Sequence, residues 1–224
     1  MIKLTPYGKD VIIKVFIFIL VLIFSLFFIN SNILKVFILI ICIFFWIFTL
    51  YFFRDPERKL PSGYKSNQII SPGDGKVVVI ENVINKYKNI FDEGEELVQI
   101  SIFLSPLNVH VNRIPLNGIV KYLSYIKGDY IVAFDHKSSE RNERSEIGIE
   151  NFSTGNKILF KQIAGFVARR IVYDISEGNE VYAGDRFGMI KFGSRVDIFI
   201  KRNSKILVSI NQKVTGGESI IAEF

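Results

Sequence analysis

KFGSRVD, residues 191–197, decides how this chain is read. Gly193 and Ser194 stand between a strand-like MIKF and a strand-like VDIFI. The pair is either a turn or a peptide bond that the chain itself breaks. Gly suits a turn because it adopts backbone angles that other residues avoid. It suits self-cleavage because a neighbouring hydroxyl, once activated, is a nucleophile.

Outward from this point the sequence is a succession of short β-type runs. They are KVVVIENV (76–83), LVQISIFL (97–104), GIVKYLSYI (118–126), DYIVAF (129–134), KILFKQIA (157–164), FGMIKF (187–192), VDIFI (196–200), KILVSI (205–210) and SIIAEF (219–224). Gly, Asn, Asp or Ser clusters separate many of them, the punctuation expected of strands joined by turns. A helical period is not sustained beyond a possible turn at 166–170. The fold class expected for residues 55–224 is therefore all-β or β-rich and sandwich-like. Two phrases, SEGNEVYAGDRFGMIKF (176–192) and NQKVTGGESIIAEF (211–224), share the order polar turn, Val, Gly, acidic residue and apolar strand. They read either as similar hairpins or as an internal repeat.

The first 54 residues are different in kind. Residues 11–29 and 36–53 are almost wholly apolar, each close to the ~20 residues that cross a bilayer core. Two apolar cores without a small-residue cleavage site do not make a signal peptide. Segments apolar all round do not make surface helices of a soluble protein. An α-helical two-span transmembrane hairpin is the expectation for residues 1–54. Lys3 and Lys9 precede the first span, Lys14 lies near its start, and Arg54, Arg58 and Lys59 follow the second, against Lys35 alone between them. That asymmetry places both ends in the cytoplasm, with the following domain on the cytoplasmic side of the inner membrane.

Of the formal charge of +6, residues 1–54 carry +4 and the rest +2, too little to suggest a nucleic-acid partner. The basic flanks suit anionic lipid headgroups instead. Cys42, the only cysteine, lies in the second span, which excludes a disulfide or a Cys metal cluster.

A serine nucleophile needs a base, and the base needs an orienting group. The histidines are His110, in SPLNVHVNRIP, and His136, in a charged loop; His136 reads as exposed. Asp74, in SPGDGKVV, reads alone as a turn residue, since Asp bonds local backbone. NER, 142–144, reads alone as solvated charge at a loop end.

Taken together, FFRDPER (52–58), SPGDGKV (71–77), SPLNVHVNRIPLNG (105–118), NER (142–144), QIAGFVARRIV (162–172) and FGSRVDIF (192–199) resemble the phosphatidylserine decarboxylase proenzymes in their short, two-span form. The resemblance runs in order through nearly the whole chain. It implies that Ser194 attacks the Gly193 carbonyl and becomes an N-terminal pyruvoyl group. The products would be a β chain, 1–193, and an α chain, 194–224, held as a heterodimer that can assemble further. The pyruvoyl at 194 would be the cofactor, with neither pyridoxal phosphate nor metal, forming a Schiff base with the substrate amine and acting as electron sink. His110 and Asp74 are the implied base and orienter, and His110 the implied acid for the product carbanion. The implied activity is decarboxylation of phosphatidylserine to phosphatidylethanolamine in phospholipid biosynthesis, with bilayer lipids as surroundings.

One departure stands out. Longer relatives carry a second histidine, assigned to self-cleavage, where this chain has Arg113. Either His110 serves both steps or cleavage relies on another group. Arg54, Arg58 and Lys59 are candidates to lie near headgroup phosphates, and Arg144, Arg169 and Arg170 are candidates by side-chain type for the substrate carboxylate or phosphate. The rival class is a membrane-anchored carrier resembling biotinyl or lipoyl modules, which needs a modifiable Lys at a hairpin tip. Within the enzyme class, an ether-linked serine lipid is a second candidate substrate.

Overall fold

The computed structural model describes residues 3–128, 141–165, 170–191 and 194–224, with Ser194 described by its backbone. The chain divides into two compact units, Met1–Pro56 and Glu57–Phe224.

In the first unit a 3-10 turn, Pro6–Gly8, leads into helix α1, Lys9–Ser25, and helix α2 covers Asn32–Phe52. Thr5 and Ser31 cap these starts, accepting from the N–H groups of Tyr7 and Leu34; a hydroxyl there satisfies donors that the helix cannot. The helices thus begin upstream of the apolar runs 11–29 and 36–53. Pro6–Phe28 and Asn32–Phe52 are 23 and 21 residues long, enough at ~1.5 Å per residue to cross a ~30 Å hydrocarbon core. Phe27 and Ile33 are 82% and 86% exposed, a pattern suited to lipid rather than water. The open end of the pair is tied by Thr5 N–H to Phe53 O, 2.9 Å, and Asp55 N–H to Lys3 O, 2.7 Å. Gly8 leaves room there for the Phe53 ring.

The second unit is β-rich, as its turn-punctuated runs predict, and it is built twice over. One half begins with β1 (Gln68–Ile70), β2 (Gly75–Ile84) and β3 (Glu96–Leu104). The other half follows whole: β4 (Val111–Arg113), β5 (Gly118–Ile126), β6 (Arg144–Glu150), β7 (Lys157–Ala164), β8 (Arg170–Tyr173), β9 (Glu180–Val181) and β10 (Arg186–Lys191). The first half then resumes with β11 (Ser194–Lys201), β12 (Lys205–Ile206), β13 (Lys213–Val214) and β14 (Ile220–Glu223). A curled eight-stranded sheet has the order β13-β2-β3-β11-β7-β6-β5-β9, and two three-stranded sheets have the orders β1-β14-β12 and β4-β10-β8. Reversing the large sheet exchanges β13 with β9, β2 with β5, β3 with β6 and β11 with β7. The same exchange turns one small sheet into the other.

Local details repeat with the strands. Register shifts fall between Val77 and Val79 and between Val120 and Tyr122. Gly184 and Gly217 both have positive φ, 88° and 79°, which only glycine adopts freely. Their N–H groups donate to Ile114 O and Ser71 O, each at 2.9 Å. The halves are also cross-tied: Ile70 N–H donates to Pro115 O at 3.0 Å and Arg113 N–H to Pro72 O at 2.9 Å. The phrases 176–192 and 211–224 are therefore equivalent parts of a repeat: β9 with β10, and β13 with β14. Neither is a hairpin, because within each phrase the two strands join different sheets.

Strand alternation divides the large sheet into two faces. Val98, Ile100, Ile102 and Leu104 of β3, with Val196, Ile198 and Ile200 of β11, enter the main core. The opposite face carries Leu97 and Leu159, covered by Ile90 and Phe91 from the β2–β3 connection. It also carries Glu146, ion-paired to Arg144 at 2.9 Å and to Lys161 at 2.8 Å.

Several expectations change. The NER segment is not solvated, for Asn142 and Glu143 are buried. Two strands fall outside the expected runs: 144–150 is β6 and 170–173 is β8. Of KILVSI only Lys205–Ile206 forms a ladder; Leu207 adds one bond to Ile221 O before the chain leaves β14. The expected strand 129–134 and most of the expected turn at 166–170 lie outside the described residues.

Two predictions follow from this packing. A Cβ at Gly118 would meet the Glu150 carbonyl, so Gly118→Ala should cost about 1–3 kcal/mol in urea unfolding. Burial alone would raise the Glu146 pKa, but Lys161 and Arg144 outweigh it and hold the carboxyl below its ordinary range. A depressed folded-state pKa gives stability that is present above the unfolded value and lost as pH falls through the folded one. Thermal unfolding of the wild type should therefore drop below about pH 4, and Glu146→Gln should flatten that drop while lowering stability at pH 7.

Candidate active site

Ser194 opens β11 in the middle of the large sheet. Its backbone is paired on one side with Leu104, the last residue of β3, and on the other with Ala164, the last residue of β7. Gly193 lies outside the described residues. The strands on either side of the Gly193-Ser194 bond, β10 and β11, belong to different sheets. Its counterpart in the other half, between β6 and β7, is an ordinary Asn turn in which Asn151 Oδ1 accepts from the N–H groups of Ser153 and Thr154. Where one half turns around, the other half leaves at Ser105, completes a whole repeat, and returns at Ser194.

His110 stands just inside that excursion. Asn108 closes a tight turn by accepting from Ser105 N–H and Oγ–H at 2.9 and 2.8 Å, and its N–H returns to Ser105 O. The imidazole that follows is buried. Its Nδ1 lies 3.0 Å from the Asn108 carbonyl; a carbonyl only accepts, so Nδ1 carries the hydrogen and the neutral ring keeps its basic lone pair on Nε2. The His110 carbonyl accepts from Ile190 N–H at 3.4 Å, four residues before Ser194. The residue therefore bridges the entry and the exit of the inserted repeat.

Asp74 is held by both carboxylate oxygens. Oδ1 accepts from Gly216 N–H at 2.8 Å and Oδ2 from Arg58 Nη2 at 3.0 Å, while Arg58 Nη1 reaches Glu218 Oε2 at 3.1 Å. In the other half Asn117 occupies the equivalent place, its Oδ1 accepting from Ala183 N–H at 2.7 Å. The turn bond thus needs only a side-chain oxygen; the negative charge and Arg58 are what distinguish the Asp74 side. Gly73, beside it, packs against Leu104 and Asn112. The Asp74 turn is thereby set against the strand end that pairs with Ser194 and against the strand that follows His110.

Arg113 is buried and donates through Nη1 to Gly184 O at 2.8 Å, while its Cδ packs on Gly217. It clamps the two equivalent glycine turns together, and a guanidinium cannot serve as a base at neutral pH. His136 and Arg169 lie outside the described residues. Arg58 is drawn into the Asp74 turn, Arg54 lies over the Tyr51 ring at 3.7 Å, and Lys59 is exposed. Arg144 is paired with Glu146 on the opposite sheet face, and Arg170, exposed, begins β8.

Sequence reasoning misses a buried amide chain that joins the other motifs. Ser145 Oγ–H donates to Gln162 Oε1 at 2.7 Å, Gln162 Nε2 to Asn112 Oδ1 at 2.8 Å, and Asn112 Nδ2 to Pro72 O at 3.4 Å. Asn142 Nδ2 donates to the carbonyl of Ala164, the residue opposite Ser194, at 2.8 Å. Buried polar groups must find such partners. The recoverable signal was that Asn112, Asn142 and Gln162 already sit within the quoted phrases.

Asp74→Asn should keep the turn and unfold within about 1 kcal/mol of the wild type, because Asn117 shows the amide to be sufficient. Asp74→Ala leaves Gly216 N–H without this acceptor and should cost about 1–3 kcal/mol. Urea unfolding of the two variants tests the distinction.

Residues 45–222 match the family model described as phosphatidylserine decarboxylase. Among similar proteins, a phosphatidylserine decarboxylase proenzyme of Chlorobium phaeobacteroides is 48% identical over 178 residues, 80% of each chain. One of Chlorobium limicola is 43% identical over 221 residues, covering 99% of this chain and 100% of that one. One of Cytophaga hutchinsonii is 46% identical over 213 residues, covering 95% and 93%.

Proposed function

The chain belongs to the phosphatidylserine decarboxylase family, and from that premise we propose that it is a self-processing enzyme whose Ser194 becomes the pyruvoyl group that decarboxylates phosphatidylserine. The activity is that of a carboxy-lyase forming phosphatidylethanolamine. The observation that carries the reading is the seam: Ser194 meets Leu104 in register, with the His110 turn and the Asp74 turn both anchored beside that pair.

In the self-cleavage we infer, a base takes the Ser194 hydroxyl proton and the oxygen attacks the Gly193 carbonyl, moving the acyl group from nitrogen to oxygen. β-Elimination releases Gly193 as a carboxylate, and hydrolysis of the dehydroalanine left at 194 yields the ketone and ammonia. His110 is the proposed base through Nε2, its tautomer fixed by the Asn108 carbonyl. Asp74 is the proposed charged orienter, held in place by Arg58. Arg113 does not replace the second histidine of longer relatives, so His110 is assigned to both steps.

The surroundings suit a group at 194. Leu104 and Ala164, its strand partners, are fully buried, which favours exclusion of water. A pyruvoyl ketone there supplies an electrophile for the substrate amine and a sink for the electrons left when carbon dioxide departs. His110 would then return the proton to the product carbon. The α chain, 194–224, would stay bound through the β11 ladders to β3 and β7, the β13 ladder to β2 and the β14 ladder to β1. Residues 1–54 are proposed as the membrane hairpin and 55–224 as the catalytic domain, at the cytoplasmic side of the inner membrane. Tethering would let the enzyme meet an insoluble substrate at high effective concentration.

Purified wild type should give two masses, corresponding to 1–193 and a pyruvoyl-blocked chain from 194, while Ser194→Ala remains whole and releases no carbon dioxide from phosphatidylserine. Asp74→Asn, folded as above, should cleave at least ~10-fold more slowly, the loss expected when an acid–base pair is disrupted. A folded wild type that stays in one piece would overturn the reading.

A further inference from the structure

The sheet face turned away from the main core holds a cavity of about 550 Å³. Asp74, His110 and Asn112 are not among its lining residues. Its floor is β3, β11, β7 and β6, with Leu97, Leu159 and Phe199 as apolar surface. One wall is the 85–92 segment, which is built rather than loose. Asn85 Nδ2 donates to Tyr87 O and Asp92 O at 2.9 Å each, Asn89 Oδ1 accepts from Phe91 N–H at 2.8 Å, and Phe91 is 2% exposed.

Charge distinguishes this cavity from an ordinary cleft. Its described lining includes six Lys or Arg side chains and two Glu. The ion pairs of Arg144 and Lys161 share a single carboxylate, Glu146, and Arg195, 2% exposed, spends one charge on Asp197 at 2.6 Å. Counting Asp197 with the two lining glutamates, the described side chains carry six positive charges against three negative. Low-dielectric walls focus such a field on whatever enters. Arg195 is fixed further by Nη2 to Ser101 Oγ, 2.8 Å, and Gln99 completes the layer by bonding both Ser101 and Asp197. A guanidinium fixed on the floor, with lysine ammonium groups and apolar side chains in the same lining, matches a phosphate bearing a short organic body.

We propose that this cavity is a second ligand site, separate from the reacting centre, that binds a phosphate ester of glycerol-like size. Soluble glycerol phosphates and the headgroups of anionic lipids share that chemistry. Because Arg195 follows Ser194 directly on β11, an occupant would bear on the strand that carries the scissile bond.

The test is isothermal titration of the purified full-length chain in detergent, at about 50 mM salt to limit screening, with glycerol 3-phosphate. Saturable binding is expected, weakened about fivefold or more by Lys88→Gln on the exposed wall and by Lys161→Gln on the floor. Each removes roughly one favourable charge contact. Lys65→Gln, an exposed charge outside the cavity, should leave it unchanged, and uncharged glycerol should not bind. Competition by phosphatidylglycerol nanodiscs, but not phosphatidylcholine nanodiscs, would identify a lipid headgroup as the source; binding without such competition would identify a soluble ester, and either upholds the site. No binding up to ~10 mM, or binding indifferent to both lysine variants, overturns it. Affinity is read without turnover, so the outcome is independent of the decarboxylase reading.

Discussion

The fold rests on a reciprocal exchange of two backbone hydrogen bonds, Ile70 N–H to Pro115 O and Arg113 N–H to Pro72 O. A proline has no N–H to give, but its carbonyl must still be satisfied when buried. In each half the proline follows a short strand and precedes the close-approach glycine that opens a long one, Gly75 or Gly118. By accepting from the other half's short strand, each proline carbonyl fixes its partner's position. The small sheets are thereby held to the large one, and the glycine turns at 184 and 217 are brought within reach of Arg113.

The candidate site lies where this near-symmetry breaks and the halves cease to match. Asn117 and Asp74 make the same bond to equivalent turns, but only Asp74 carries a charge and an arginine partner. The β6–β7 hairpin closes over a few residues, whereas its equivalent, β3 to β11, is opened by a complete repeat. The two ends of that opening must return to neighbouring positions because β3 and β11 pair along their length, Ser194 opposite Leu104 through Lys201 opposite Leu97. An entry turn at Ser105–Asn108 and an exit at Ser194 are therefore forced together by sheet geometry. His110 reaches the exit through one backbone bond to Ile190.

Much of this was legible in the sequence. Turn-punctuated apolar runs report strands, and β2, β3, β5 and β7 lie within a residue of where their runs place them. Strand β6 was hidden because Arg144 and Glu146 look solvated; their burial depends on Lys161 from the next strand and on the cover over that face. Strand β8 was hidden by its brevity. Ser194, His110 and Asp74 were visible as phrases, but the pairing of Asp74 with Arg58 and Gly216 spans 16 and 142 residues and leaves no local trace. The amide chain from Ser145 to Pro72 is likewise a product of topology, since each member looks ordinary in its own strand.

The seam also explains why a break in the chain at this point is compatible with the fold. Backbone scission removes a covalent constraint, and its structural cost depends on what else holds the new ends. β11 has ladders on both sides from its first residue, and Asp74 and Arg58 grip the 216–218 turn far along the C-terminal piece. A break inside a hairpin turn such as 151–156 would free two ends joined only to each other's strands. At position 194 the strand instead completes a sheet whose neighbours come from both halves, so the register on which the site depends is set by hydrogen bonds and core packing rather than by the bond to residue 193.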